Sequence, residues 1–172
     1  PTCILMNEYL VNTFIRGPEF LEKTVREQWL FCSVDAGGEG VARKYARAFG
    51  TRLVIAHKQR SYHKANTVDS INILTDTDIT GKEVWIVDDM VDTGGSVFKL
   101  VKELKERQVA KVNIAAIHPV FSDPAQERLV ELYNEDLLDA VLVADTVPCT
   151  DELREKMPFL HVMGKVFEKQ SA

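Results

Sequence analysis

Short apolar runs alternate along this chain with segments whose apolar residues recur every three to four positions. Trp29 to Val34, Arg52 to Ala56, Val84 to Val87, Lys111 to His118, Ala140 to Ala144 and Phe159 to Met163 read as strands of a buried parallel sheet. Between them lie helical patterns. Pro18 suits the first turn of a helix reaching Gln28, with Phe20, Leu21 and Val25 as its apolar face. A second helix runs from Glu39 to Phe49 and is closed by Gly50. A third opens at Thr93-Gly94-Gly95-Ser96, carries Val97, Leu100, Val101 and Leu104 on one face, and ends near Gln108. Asp123 to Tyr133, with Pro124 at its start, and Asp151 to Lys156 complete the set. Val68 to Leu74 alternates as an inserted, hairpin-like strand, and Asp76 to Gly81 is a turn. Cys3 to Met6 is either a short strand or the remnant of an upstream connection. The order β-α-β-β-β-α-β-α-β-α-β predicts an α/β fold with a doubly wound, mostly parallel sheet and right-handed crossovers. Residues 1–28 are expected to form a connecting segment and first helix, and residues 29–172 one domain.

Two strand ends stand out. Val84 to Val87 runs into Asp88, Asp89 and Asp92, three carboxylates within five positions, and then into the glycine-rich start of a helix. Glycines let a backbone approach a phosphate, hydroxyls donate to it, and a helix N-terminus offers free amides and partial positive charge. Acids beside such an anion pocket need sugar hydroxyls or Mg²⁺ as partners. The plainer alternative is a strand–loop–helix connection with Ser96 as the N-cap. Trp29 to Val34 ends the same way, in Asp35-Ala36-Gly37-Gly38 before a helix. Two such junctions on the carboxyl edge of one parallel sheet make two anion pockets. After the second strand, His57 to Lys64 is basic and lacks apolar periodicity, which predicts a mobile loop. Lys58 and Arg60 alternate there, as in a phosphate-neutralising lid. His57 and His63 read as surface groups, and His118 as a structural hydrogen-bonding group or a ligand contact.

Composition narrows the field. The 172 residues are 45% hydrophobic and 27% charged, with a net charge of −5. That suits a globular, cytoplasmic protein without a nucleic-acid surface. No apolar run nears the ~20 residues of a membrane span. Pro1 to Met6 lacks the basic flank of a signal peptide. Cys3, Cys32 and Cys149 are odd in number and far apart, so no disulfide framework or metal spacing is expected, and Cys32 reads as a buried thiol. Walker A, Gly-x-Gly-x-x-Gly, His-Glu-x-x-His, Cys-x-x-Cys and Gly-x-Ser-x-Gly motifs are all absent. What remains is acids for Mg²⁺, two glycine-rich loops and a basic lid, which favours chemistry on phosphorylated sugars.

Val87-Asp88-Asp89-Met90-Val91-Asp92-Thr93-Gly94-Gly95-Ser96 resembles the phosphoribosyl diphosphate (PRPP) motif of the type I phosphoribosyltransferase fold. Asp35-Ala36-Gly37-Gly38, His57-Lys58-Gln59-Arg60 with Lys64-Ala65-Asn66, Ile117 to Pro124, and Asp145-Thr146-Val147-Pro148 narrow the resemblance to the C-terminal half of ribose-phosphate diphosphokinase, or PRPP synthetase. The resemblance implies transfer of the β,γ-diphosphoryl of ATP onto ribose 5-phosphate, giving PRPP and AMP, with Mg²⁺ as cofactor. Asp88 and Asp89 would hold the ribose hydroxyls directly or through Mg²⁺. Asp92, Thr93, Gly94, Gly95 and Ser96 would cradle the 5-phosphate. Ala36, Gly37 and Gly38 would bind pyrophosphate, with Asp35 near the metal. Lys58 and Arg60 would act in catalysis. It also implies that most of the ATP site lies on an N-terminal half, and that the protein is a homo-oligomer or pairs with such a half. Glu39, Gly40 and Val41 stand where many members have a basic residue, Ser61 to His63 read as an insertion, and Ser96 replaces a threonine. Two alternatives stay open. One is a stand-alone type I phosphoribosyltransferase using PRPP and a base. The other is a non-catalytic regulatory partner of the synthetase.

Overall fold

The computed structural model describes residues 25–59 and 70–163. The predicted segments before Val25 and after Met163, and Arg60 with the rest of the expected lid, lie outside the described residues. After a one-turn helix α1 (Arg26–Gln28), the chain forms β1 (Trp29–Ser33), α2 (Glu39–Phe49), β2 (Arg52–Gln59), β3 (Ser70–Leu74) and β4 (Glu83–Val91). It continues through α3 (Gly95–Glu106), β5 (Lys111–Pro119), α4 (Ala125–Asn134), β6 (Ala140–Ala144), α5 (Asp151–Lys156) and β7 (Leu160–Met163). The seven strands form one sheet in the order β3-β2-β1-β4-β5-β6-β7. Every pairing is parallel except β2 with β3. This is the doubly wound, mostly parallel α/β architecture expected, in the expected element order.

Alternation along the buried strands sorts the core into two layers. Trp29, Phe31, Trp85, Val87, Leu142 and Ala144 face one side and pack with Ala42, Tyr45 and Ala46 of α2. The layer is aromatic: the Trp29 and Trp85 rings lie 5.2 Å apart, and Phe31 stacks on Tyr45 and Phe49 at 5.5 and 5.3 Å. Leu30, Cys32, Val84, Ile86, Ile114 and Val143 face the other side, against Val97, Leu100, Val101 and Leu104 of α3 and Leu129 and Leu132 of α4. The Cys32 thiol is fully buried, and burial pushes its pKa up to about 12, so it is an inert core group. No helix among the described residues is long and apolar enough to cross a membrane.

Two strands are longer than their apolar runs. β4 continues four residues past Val87 because β5 keeps pairing with it, through Asp88–Ala116, Met90–His118 and Val91–Pro119. β2 continues through His57, Lys58 and Gln59, which pair with Asn72, Ile71 and Ser70 of β3. The loop expected from His57 onward is therefore strand as far as Gln59. The inserted β3 supplies the hydrogen bonds that sequence periodicity does not register.

The strand order reverses between β1 and β4. The chain leaves β1 toward β2 on one side, and leaves β4 toward β5 on the other, so a crevice opens outside the carboxyl ends of these two neighbours. Register pairs Ser33 with Val87. The Asp35 loop thus leaves the sheet beside Asp88, where β4 runs on to Val91 before its own loop begins.

Docking of α3 decides whether the second of these loops holds its shape. Leu100 is fully buried on the α3 face that meets the sheet. Leu100→Ala should lower the unfolding free energy by about 2–5 kcal/mol in a urea titration. A loss under about 1 kcal/mol would mean that α3 is not docked as described.

Candidate active site

At the first junction, Asp35 closes the turn on itself. Its Oδ1 accepts from the Gly38 amide at 2.9 Å, and a side chain at Gly37 would press to 3.2 Å of the same oxygen. Gly38 is the N-cap of α2. The Val41 amide bonds back to the Gly38 carbonyl at 3.1 Å, and the Glu39 and Gly40 amides ahead of it have no intrahelical acceptor.

At the second junction the chain passes from strand to helix through Gly94, whose φ of 70° is left-handed. A Cβ there would also lie 3.6 Å from Ala125 of α4. Gly94 is the N-cap of α3, and no side-chain oxygen caps the helix. Ser96 is the second helical residue, so the plainer alternative of Ser96 as N-cap is corrected. No acidic residue lies in the first turn of α3, whereas Glu39 lies in that of α2 and Asp151 and Glu152 in that of α5. The positive end of α3 is thus left uncompensated.

The acids between these loops differ in exposure. Asp88 is held on the strand extension and half-buried, and Asp89 beyond it is exposed. Asp88 Oδ1 accepts from the Asp89 amide at 2.9 Å. Burial, foremost, and then the charges of Asp89 and Asp35 push the Asp88 pKa up to about 6. That coupling places Asp35, Asp88 and Asp89 in one electrostatic neighbourhood. They do not form a closed cage, since no group of three or more His, Cys, Asp or Glu that could hold a metal ion occurs among the described residues. Mg²⁺ takes one or two protein carboxylates and completes its shell with water and substrate oxygens, so the donor set fits a cation shared with a ligand.

Two adjoining clefts connect the loops. One of about 270 Å³ is lined by Val34, Asp35, Ala36, Gly37, His57, Ile71 and Ser96. The other, of about 460 Å³, is lined by Thr93, Gly95, Ser96, Phe98, Lys99 and Arg128, with Ile71 again. Residues expected in two separate pockets, Asp35 to Gly37 and Ser96, therefore share a wall. Of the expected catalytic residues, Lys58 has its backbone in β2 opposite Ile71, which lines both clefts. The Lys58 side chain, like all of Arg60, is outside the described residues. A third cleft, of about 470 Å³, lies at the opposite end of β2, around Arg43, Arg47 and Arg52, and holds none of the expected site residues.

Three lining residues escaped sequence reasoning: His57, Lys99 and Arg128. His57 reads as a surface group yet borders the Asp35 loop. Arg128 is three residues after Ala125 and shares its helix face, a signal that becomes readable only once Ala125 is known to touch Gly94. His118 resolves toward structure. Its Nδ1 lies 2.9 Å from Thr146 Oγ1, which donates to the Ile117 carbonyl at 3.1 Å. The single hydroxyl proton goes to that carbonyl, so Nδ1–H is the donor to Thr146. The Ile117–Pro124 and Asp145–Pro148 segments are tied together at this point.

A model of the phosphoribosyl transferase domain matches residues 16–146. The ribose-phosphate pyrophosphokinase of Chlorobaculum tepidum is 39% identical over 140 residues, covering 81% of this chain and 41% of that protein. The crystal structure of phosphoribosylpyrophosphate synthetase from Mycobacterium smegmatis superposes with a TM-score of 0.70 at 31% identity, over 93% of this chain and 45% of that one. Adenine phosphoribosyltransferase from Saccharomyces cerevisiae shares the fold, with a TM-score of 0.55 at 15% identity over 74% of this chain and 72% of that one. The sheet and its helices are those of a type I phosphoribosyltransferase. The chain spans less than half the length of the pyrophosphokinases it matches.

The raised Asp88 pKa has a measurable consequence. The unfolded carboxyl ionises near 3.8 and the folded one near 6, so the folded state binds the extra proton between those values. Stability is fully present below pH ~4 and falls as pH rises through ~6. Asp88→Asn keeps the oxygen that accepts from Asp89 and removes the charge. Its melting temperature should match the parent's near pH 4 and exceed it by about 2–4 °C at pH 7.5, roughly 1 kcal/mol after allowance for solvent screening. A gap that is the same at both pH values counts against the proposed crowding of acids.

Proposed function

The chain belongs to the phosphoribosyl transferase domain family, and from that premise we propose that it is a ribose-phosphate pyrophosphokinase module that binds ribose 5-phosphate for conversion to PRPP. The observation that carries this reading is the pairing, at one crevice, of an acid cluster with an uncapped, acid-free helix start. Sugar hydroxyls suit the first and a dianionic phosphate the second. The names and similarity of the pyrophosphokinase relatives support the same substrate.

On this reading the residues divide the work. Asp92 to Ser96 receive the 5-phosphate, Thr93 to Ser96 through backbone amides and hydroxyls. Asp88 and Asp89 take the ribose hydroxyls. The Asp35–Gly38 turn, one cleft wall away, receives the diphosphate being transferred. One or two of the carboxylates of Asp35, Asp88 and Asp89 would ligate Mg²⁺, with water and substrate oxygens completing its shell, and the ion when bound would offset charge on the diphosphate oxygens. Lys58 and Arg60 would stabilise the transferring diphosphoryl group from β2 and the segment after it. The anomeric hydroxyl attacks the β-phosphorus of ATP, the bond to the α-phosphoryl oxygen breaks, AMP leaves, and the hydroxyl proton passes to solvent or a nearby base. ATP is held mainly by a second domain, whether on the same polypeptide or on an associated one.

Titration calorimetry with ribose 5-phosphate and Mg²⁺ tests the reading. Binding is expected in the micromolar to millimolar range, and Asp92→Ala should weaken it at least about tenfold, some 1.4 kcal/mol. An unchanged affinity in the variant would refute the phosphate-loop assignment. Release of pyrophosphate from PRPP and a base by this chain would instead identify a transferase.

A further inference from the structure

Two consecutive glycines make the phosphate loop adaptable and also leave it loose. With Gly94 at φ 70° and without a Cβ, the peptide joining Thr93 to Gly94 meets no side-chain bulk on its glycine side. Something outside the loop must set which way its amides point.

The candidate is Arg128, half-buried in the first turn of α4. Its Nη1 donates to the Thr93 carbonyl at 2.8 Å. A Cβ on Gly95 would come within 3.2 Å of that same nitrogen, so the guanidinium lies directly against the loop. In a trans peptide the C=O and the following N–H point opposite ways. Pinning the Thr93 carbonyl toward α4 therefore turns the Gly94 amide away from α4, and a flipped peptide would remove that donor from the cradle.

Charge gives an independent indication. On the surface shared by α3 and α4, Lys102 pairs with Glu131 and Glu135, Arg107 with Glu103, Lys105 with Asp139 and Lys156 with Glu127. Arg128 and Lys99 line the 460 Å³ cleft and have no carboxylate partner among the described residues. One of five guanidinium donors is used by Thr93, which leaves the others for a ligand. Those four cations have carboxylate partners, and the two that line the cleft have none among the described residues.

We propose that Arg128 is a positioning residue for phosphomonoester binding: it locks the Thr93–Gly94 peptide and, together with Lys99, selects a doubly charged phosphate over an uncharged sugar. The inference rests on the ribose 5-phosphate reading and names a residue that sets the specificity of that site.

The test compares the parent chain, Arg128→Gln, Arg128→Lys and Lys99→Gln, each titrated with ribose 5-phosphate, ribose and inorganic phosphate at several salt concentrations. Arg128→Gln should weaken ribose 5-phosphate about 10–100-fold, the range for a lost charged hydrogen bond, and flatten the salt dependence. Arg128→Lys should restore the salt dependence and recover only part of the affinity, because an ammonium lacks the planar fork. Lys99→Gln should weaken binding severalfold and reduce the salt slope without altering the loop. Ribose should be bound no better by the parent than by any variant. A purely structural arginine would lower stability without changing the salt slope. Affinity in both Arg128 variants within about twofold of the parent overturns the proposal. Should Arg128→Gln fail to fold, Arg128→Lys decides, and parental affinity there overturns the role of the fork. If the parent binds inorganic phosphate through Arg128 but not ribose 5-phosphate, the anchor stands and the sugar reading fails. If it binds neither, both fail.

Discussion

The parallel pairing of β1 with β4 is the constraint on which the site depends. These strands are neighbours in space although two strands and a helix separate them in sequence. Each is followed by a helix that packs on a different face of the sheet. Two loops must therefore diverge from adjacent strand ends and leave a crevice between them. The aromatic layer secures this arrangement from beneath, since Trp29 of β1 and Trp85 of β4 pack against each other, their rings tilted by 45°, below the two exits. Burial of both rings resists any slip in register. A slip would separate Asp35 from Asp88, and with them the two halves of the crevice.

Charge at this crevice is arranged by depth. Asp88 is carried on strand backbone, where burial raises its pKa, while Asp89 and Asp35 stay exposed around it. A strand extension of this kind is costly for an isolated acid. Pairing of β4 with β5 through Val91 keeps it in place. A carboxyl whose pKa is raised by burial beside like charges is a feature that clusters at functional sites.

Much of this was legible from residue patterns, and the failures have specific causes. α2 runs over the expected Glu39–Phe49 because both of its ends are written locally, with glycines before it and Gly50 at a φ of 65° after it. β6 and α5 also have their expected bounds, set by an apolar run in one case and by Thr150 capping Leu153 in the other. The ends of β2 and β4 were not legible, because His57 to Gln59 and Asp88 to Val91 are polar or mixed and become strand only through partners far along the chain. The acidic and glycine-rich residues were found because motif and spacing are local. Arg128 was not, since its relation to Thr93 spans 35 residues and exists only in the folded chain.

The two helix starts at the crevice are not equivalent, and the difference bears on what each can hold. α2 carries Glu39 in its first turn, ion-paired to Arg43, and its loop is closed by the Asp35 carboxylate. Negative charge already sits at that positive end, so a bare polyanion gains little there. α3 begins without an acid or a side-chain cap and has Lys99 and Arg128 at its side. That end suits a phosphate bound on its own. The α2 end suits an anion that arrives with a cation, which turns the Asp35 and Asp88 carboxylates from repulsive neighbours into ligands. On the proposed reading, the sugar phosphate would be held by protein charge alone, and the diphosphate by Lys58 and Arg60 together with a metal ion. The asymmetry comes from single residues at the first turns of two otherwise similar strand–loop–helix junctions.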